Sequence, residues 1–155
     1  NHPMTVDMQL LKKLRAETEV SFSLIKKALE EGDNNEKKAK ELLHEWGAEK
    51  AAKKADRETE QGGLFTYVHH DRKKAAVVEL QCETDFVSGN EDFRKFGTEL
   101  AMQVAFTNPK SVEDLLKEDY VRDASKTVDA YYKEVLLKFG ENIKISKIQR
   151  FVLGE

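Results

Sequence analysis

Apolar positions recur with a helical period over the first third of the chain and with a strand period after it. Met8, Leu11 and Leu14, with Leu10 beside them, form one stripe, which predicts a short helix capped at Thr5 and ending near Thr18. Ser21 is placed to cap a second helix carrying Leu24, Ile25, Ala28 and Leu29, with Gly32 at its left-handed C-cap and Asp33-Asn34-Asn35 as the turn. Ala39, Leu42, Leu43 and Trp46 share a face of a third helix, which Gly47 is expected to stop. These segments predict a compact bundle over residues 4–47, and Asn1-His2-Pro3 are set aside as an appended or processing remnant. Residues 48–57 are rich in Ala and Lys without a large apolar side chain, so they read as an exposed connecting helix. Gly62-Gly63 closes it, making 48–62 a linker.

From Leu64 the period becomes two. Leu64, Thr66 and Val68 alternate with Phe65 and Tyr67, and after a polar turn at Asp71-Arg72-Lys73 the residues Ala76, Val78, Leu80 and Cys82 share a face, so a β-hairpin is expected. Ser88 and Glu91 have capping-box spacing ahead of a helix over residues 91–106, whose stripe is Phe93, Phe96, Leu100 and Val104 and whose end is Asn108-Pro109. Ser111 and Asp114 repeat that spacing before a short helix, and Val128, Tyr131, Tyr132, Val135, Leu136 and Phe139 mark a longer one ended by Gly140. The alternation in 142–153 slips phase, which predicts a strand with a bulge near Ser146-Lys147. The expected class is α+β: an N-terminal three-helix bundle, a linker helix, and a domain over 63–155 in which helices cover an antiparallel sheet of about three strands.

Charge narrows the chemistry. The 155 residues hold 26 Lys and Arg against 29 Asp and Glu, so the chain lacks the basic excess of a nucleic-acid binder. Cys82 is the single cysteine, which points to a reducing compartment. No apolar run is long enough to span a bilayer and no basic-then-apolar leader is visible, so a cytoplasmic protein without a membrane partner is expected, bacterial or the mature form of an organellar one. There is no GxxxxGK loop for phosphate. His69 and His70 fall on the predicted strand, where neighbours face opposite ways and cannot share a metal, and Cys82 is expected to be buried. No catalytic residue, cofactor or metal ligand is therefore expected. The basic stretch Lys50, Lys53, Lys54 and Arg57, interrupted by Glu49 and Asp56 and lacking an aromatic, makes an RNA-associated module the alternative. A helical adaptor for a ubiquitin-like partner, acting through the N-terminal bundle, is a third reading.

Between the hairpin and the long helix, Cys82-Glu83-Thr84-Asp85-Phe86-Val87-Ser88-Gly89-Asn90 sets two apolar side chains in a polar turn. Two readings stand: Phe86 plugs the local core while Asp85 caps the helix, or Phe86 and the acid form a tip for insertion into a partner. The stretch LQCETDFVSGNEDF resembles the signature of the elongation factor Ts family, in which a TDFV loop follows a strand. LLKKLRAETEVSFSLIKKALEE resembles that family's ubiquitin-associated-type bundle, HEWGAEKAAKKADRETEQGGL its linker, and KFGENIKISKIQRFVLGE its last helix, turn and strand. The blocks run in the family's order from Met8 onward.

The resemblance implies a guanine nucleotide exchange factor without bond chemistry of its own, whose partner is elongation factor Tu in nucleotide-free or GDP-bound form. Thr84, Asp85, Phe86 and Val87 would enter near the Mg²⁺ and phosphate site of Tu, and Lys12, Arg15, Phe22 and Ser23 of the bundle would face its G domain. Read from spacing alone, Arg15 equally fits a solvated helix face and Phe22 a bundle core. The chain departs from the pattern at Glu19-Val20-Ser21, where the family often has a Gly-containing turn, and in carrying a single core module. Short relatives pair as homodimers, some through a cysteine in the last strand. No cysteine follows Gly140 here, so a pair would be noncovalent.

Overall fold

A computed structural model describes residues 5–155, and Asn1-His2-Pro3 and Met4 lie outside the described residues. Helix α1 (Met8–Thr18) is capped by Asp7 rather than Thr5: the Asp7 carboxylate accepts from the backbone N–H of Gln9 and Leu10 at 3.0 and 3.2 Å. Thr5 instead gives its carbonyl to Asn34 Nδ2 at 2.8 Å. Helix α2 (Phe22–Glu31) starts at Ser21 as expected. Its end differs, because Gly32 has φ −92° and the left-handed positions are Asp33 and Asn34, residue types that tolerate them.

Helix α3 (Glu36–Lys54) contradicts the expected stop at Gly47 and absorbs the connecting helix in one rod. Gly47 is there for contact: a Cβ would lie 2.6 Å from the Lys133 carbonyl oxygen, so its absence lets α3 press on a later helix. The helical register favoured by the residues on either side outweighs the propensity of one glycine, about 1 kcal/mol.

Strand β1 (Gln61–Val68) pairs antiparallel with β2 (Lys74–Cys82), so Gly62-Gly63 opens a strand instead of closing a helix. Gly62 has φ +147°, and a Cβ on it would meet the Leu80 carbonyl oxygen at 2.0 Å. The hairpin turn uses Arg72 at φ 64°. His69 and His70 lie in this turn, beyond the strand end, so alternation does not separate them and their ring centroids are 4.2 Å apart.

A one-turn helix α4 (Asp85–Ser88) precedes α5 (Glu91–Thr107), whose cap is Asn90 and not Ser88, because Ser88 already belongs to α4. Helix α6 (Val112–Lys117) follows its Ser111 cap. Next comes a small ribbon the periodicity did not reveal, β3 (Asp119–Tyr120) and β4 (Asp123–Thr127). Helix α7 (Val128–Phe139) ends at left-handed Gly140, as expected, and leads into β5 (Ile143–Val152). Strand β5 pairs with β2, giving a three-stranded antiparallel sheet in the order β1-β2-β5. Glu79 pairs with Lys147 and Leu80 with Ile145, so Ser146 is the extra residue of the anticipated bulge.

Among the described residues the fold is α+β, with seven helices, this sheet and the short ribbon. Phe93, Phe96, Leu100 and Val104 of α5 pack on Ala76, Val78, Leu80 and Cys82 of β2 and on Ile143 and Ile145 of β5. Gly97 makes room for the Phe65 ring, which would lie 2.3 Å from a Cβ there. The buried polar residues of α5 serve the ribbon: Tyr120 Oη donates to Glu99 at 2.8 Å, and Gln103 donates to Glu118 and the Asp119 carbonyl and accepts from the Val121 N–H, each at 3.0 Å. The second core joins Leu11, Leu14, Val20, Ile25, Ala28, Leu29, Ala39 and Leu43 of the N-terminal helices, and Leu137 of α7 completes it. The opposite face of the sheet exposes Leu64, Val68 and Phe151.

Candidate partner-binding site

Thr84 leaves β2 in an extended conformation and caps α4, its Oγ1 accepting from the Val87 N–H at 3.4 Å. One turn of helix then points successive side chains about 100° apart. Val87 is buried in the sheet and α5 core, whereas Phe86 is 90% exposed beside exposed Asp85. This decides one of the two readings of the turn: Val87 is the plug and Phe86 is not. Asp85 is the first residue of α4, and the cap of α5 is Asn90. The Phe86 ring is thus displayed to solvent at a rigid junction, where a partner could reach it.

The turn is held from the α7–β5 connection. Glu141 Oε1 accepts from the N–H groups of Glu83 and Thr84 at 3.0 and 3.1 Å, and Asn142 N–H returns a bond to Glu83 Oε2 at 2.6 Å. Asn142 Nδ2 also donates to the Arg57 carbonyl at 2.8 Å, so the segment after α3 reaches the same node. Neither Glu83 nor Glu141 stood out in the sequence. Their one signal is that Cys82 and Ile143 are paired neighbours, which brings the residues beyond each strand end together. Cys82 donates its thiol to the Thr84 carbonyl at 3.3 Å, and burial, followed by the nearby Glu141 charge, pushes its pKa up to about 11, which disfavours the thiolate.

In the bundle, Lys12, Arg15 and Phe22 line one open groove with Met8, Leu11, Glu19 and Lys138. Phe22 is 44% exposed, so it is not a bundle-core residue, while exposed Ser23 lies outside the groove lining, its Oγ 3.4 Å from that of Ser21. Two members of the basic stretch are engaged within the chain: Lys54 donates to the Gly140 carbonyl, and Arg57 lies 3.5 Å from Glu83.

Lys138 joins the two modules, pairing with Glu19 at the end of α1 (3.1 Å) and with Asp92 at the start of α5. The Lys138 hydrogen bond is the main cause holding the Asp92 pKa below its ordinary 3.8, with partial burial opposing it. A carboxyl whose folded pKa is depressed stabilises the fold above the unfolded value and loses that contribution as pH falls through the folded one. Lys138→Met is therefore expected to be less stable than the parent at pH 7, with the difference closing as pH drops below 3.8. Urea unfolding across that range checks it, and a pH-independent difference would overturn the assignment.

No helix among the described residues is long and apolar enough to cross a membrane, and these residues include no group of three or more side chains placed to hold a metal. Residues 83–155 match the family described as elongation factor TS. Over nearly its whole length the chain is similar to the elongation factor Ts of Aquifex aeolicus, 42% identical over an alignment of 153 residues that covers 96% of this chain and 53% of the relative. It is similar to that of Clostridium kluyveri at 39% over 150 residues (97% and 49%), and to that of Clostridium botulinum at 40% over 145 residues (94% and 47%). The chain thus spans about half the length of the curated relatives it matches.

Proposed function

Because the chain belongs to the elongation factor Ts family, we propose that it acts as a guanine nucleotide exchange factor: it binds elongation factor Tu and speeds GDP release without bond chemistry of its own. The observation that carries this reading is the 90% exposure of Phe86 on a capped turn braced by Glu141. A GTPase of the Tu type holds GDP through backbone N–H groups around the phosphates and through Mg²⁺. Phe86 enters an apolar pocket of the Tu G domain, Asp85 reaches the Mg²⁺ ligands, Thr84 caps the turn and Val87 anchors it. Burying one Phe contributes about 1.5–3 kcal/mol, so the wedge needs a second source of binding energy. The bundle supplies it through Lys12, Arg15, Phe22 and Ser23, in the manner of a ubiquitin-associated-type bundle.

The exposed sheet face with Leu64, Val68 and Phe151 supports a noncovalent homodimer, in which a second core completes the contact with Tu. The setting is the bacterial cytoplasm. Linkage requires GDP and the factor to weaken each other's binding to Tu equally, so nucleotide-free Tu is the tightest partner. The test is release of fluorescent GDP from purified Tu. Release that accelerates with added chain and saturates is the expected result, and release unaffected at saturating chain would overturn the reading.

A further inference from the structure

We infer that Glu141 is a positioning residue for nucleotide exchange, holding the Thr84-Asp85-Phe86-Val87 turn in its binding geometry, an inference that rests on the exchange reading above. A helix of four residues is far below the length that is stable by itself, so α4 needs an external hold. Phe86 is too exposed to provide one, and Val87 fixes the turn at its inner side alone.

Beside the Cys82 thiol on the Thr84 carbonyl and Arg94 on the Ser88 carbonyl, most of the hold comes from one carboxylate. Glu141 Oε1 takes the two backbone N–H groups that leave β2, those of Glu83 and Thr84, and Oε2 takes the Thr84 hydroxyl at 3.1 Å. A hydroxyl has a single proton. With that proton committed to Glu141, a Thr84 lone pair is left for the Val87 N–H, which is the bond that caps α4. Glu141 thus sets the direction of the cap, and the cap sets the direction of Phe86. Gly140, at φ 68°, turns the chain so that Glu141 arrives beside the end of β2, and the return bond from Asn142 N–H to Glu83 Oε2 closes the brace. Order present before binding does not have to be created during it.

Three full-length variants test this with Tu carrying fluorescent GDP. Glu141→Ala is expected to lower the maximal release rate about fivefold, the scale of one net hydrogen bond, with the half-saturating concentration held by the bundle within about twofold. Glu141→Gln keeps one acceptor oxygen for the two N–H groups but turns an amide donor toward the Thr84 hydroxyl, so it should recover only part of the rate. In a Phe86→Ala background the effect of Glu141→Ala should shrink to the share that Asp85 still contributes, whereas a general weakening of the fold would add its full effect there. Hydrogen exchange should show the Glu83 and Thr84 amides losing protection in Glu141→Ala while those of α5 keep theirs. A full maximal rate in Glu141→Ala beside a slow Phe86→Ala overturns the positioning role, as does an undiminished effect in the double variant. A full rate in Phe86→Ala removes the wedge, and release that the parent chain itself does not accelerate removes the exchange reading, each a separate outcome.

Discussion

Phe86→Ala is expected to slow chain-stimulated GDP release from elongation factor Tu at least about tenfold, since burying a phenylalanine contributes about 1.5–3 kcal/mol and 1.4 kcal/mol is a factor of ten. The folded chain should not notice the change. Phe86 is 90% exposed, and the buried member of the turn is Val87. The unfolding midpoint and the far-ultraviolet spectrum should match the parent while stopped-flow release of labelled GDP is slow. A well-folded variant with an unchanged rate would remove the wedge.

Phe96→Ala should show the opposite profile. Its ring is fully buried, 4.9 Å edge-on from Tyr131 and 6.1 Å stacked from Tyr132, in the cluster that joins α5 to α7. Tyr132 is itself tied down: its hydroxyl donates to the Ile143 carbonyl, and burial pushes its pKa up to about 12. A rigid surround of this kind collapses poorly into a vacated space, so the expected loss is about 3–5 kcal/mol. That is a large share of a domain's usual 5–15 kcal/mol or so. It corresponds to a fall in Tm of roughly 6–20 °C. Urea and thermal unfolding measure it, and a loss below about 1 kcal/mol would mean that this aromatic cluster is not the centre of the core.

Periodicity exposed the long elements because each buries a single face. The stripe Phe93, Phe96, Leu100 and Val104 predicted α5, and the phase slip after Ile145 predicted the bulge now located at Ser146. Gly140 and Ser111 were legible as caps because their local chemistry meets no competition. Apart from the caps at Thr5 and Ser88, each displaced by a nearby Asp or Asn, the misreadings come from glycines and histidines whose roles are set by their neighbours in the fold. Gly47 looks like a stop until Lys133 lies across it, and Gly62 looks like a spacer until Leu80 does. The β3–β4 ribbon has too few apolar residues for a period, and its anchors, Glu99 and Gln103, read as solvent-facing on a helix.

The candidate site divides the same way. Its tip was visible as an apolar pair in a polar turn, but which of the pair points outward depends on the register of α4, four residues that carry no pattern. Its brace was invisible, since Glu83 and Glu141 are 58 positions apart and meet only because β2 and β5 are paired. In the bundle, Phe22 heads α2 with the spacing of a core residue, and only the packing of α1 against α2 shows that it remains exposed.

The uninterrupted α3 makes chain length, beyond composition, a constrained quantity. From Glu36 to Lys54 it is a single screw thread, seated on α7 at His44, Gly47 and Lys54. Each residue of such a thread advances about 1.5 Å and turns about 100°. One residue gained or lost within it would swing Lys12, Arg15 and Phe22 away from their bearing relative to Phe86, however conservative the inserted side chain. Identity matters along α3 where it packs, at Ala39, Leu43 and Gly47, whereas the number of its residues works as a gear ratio between the two contacts.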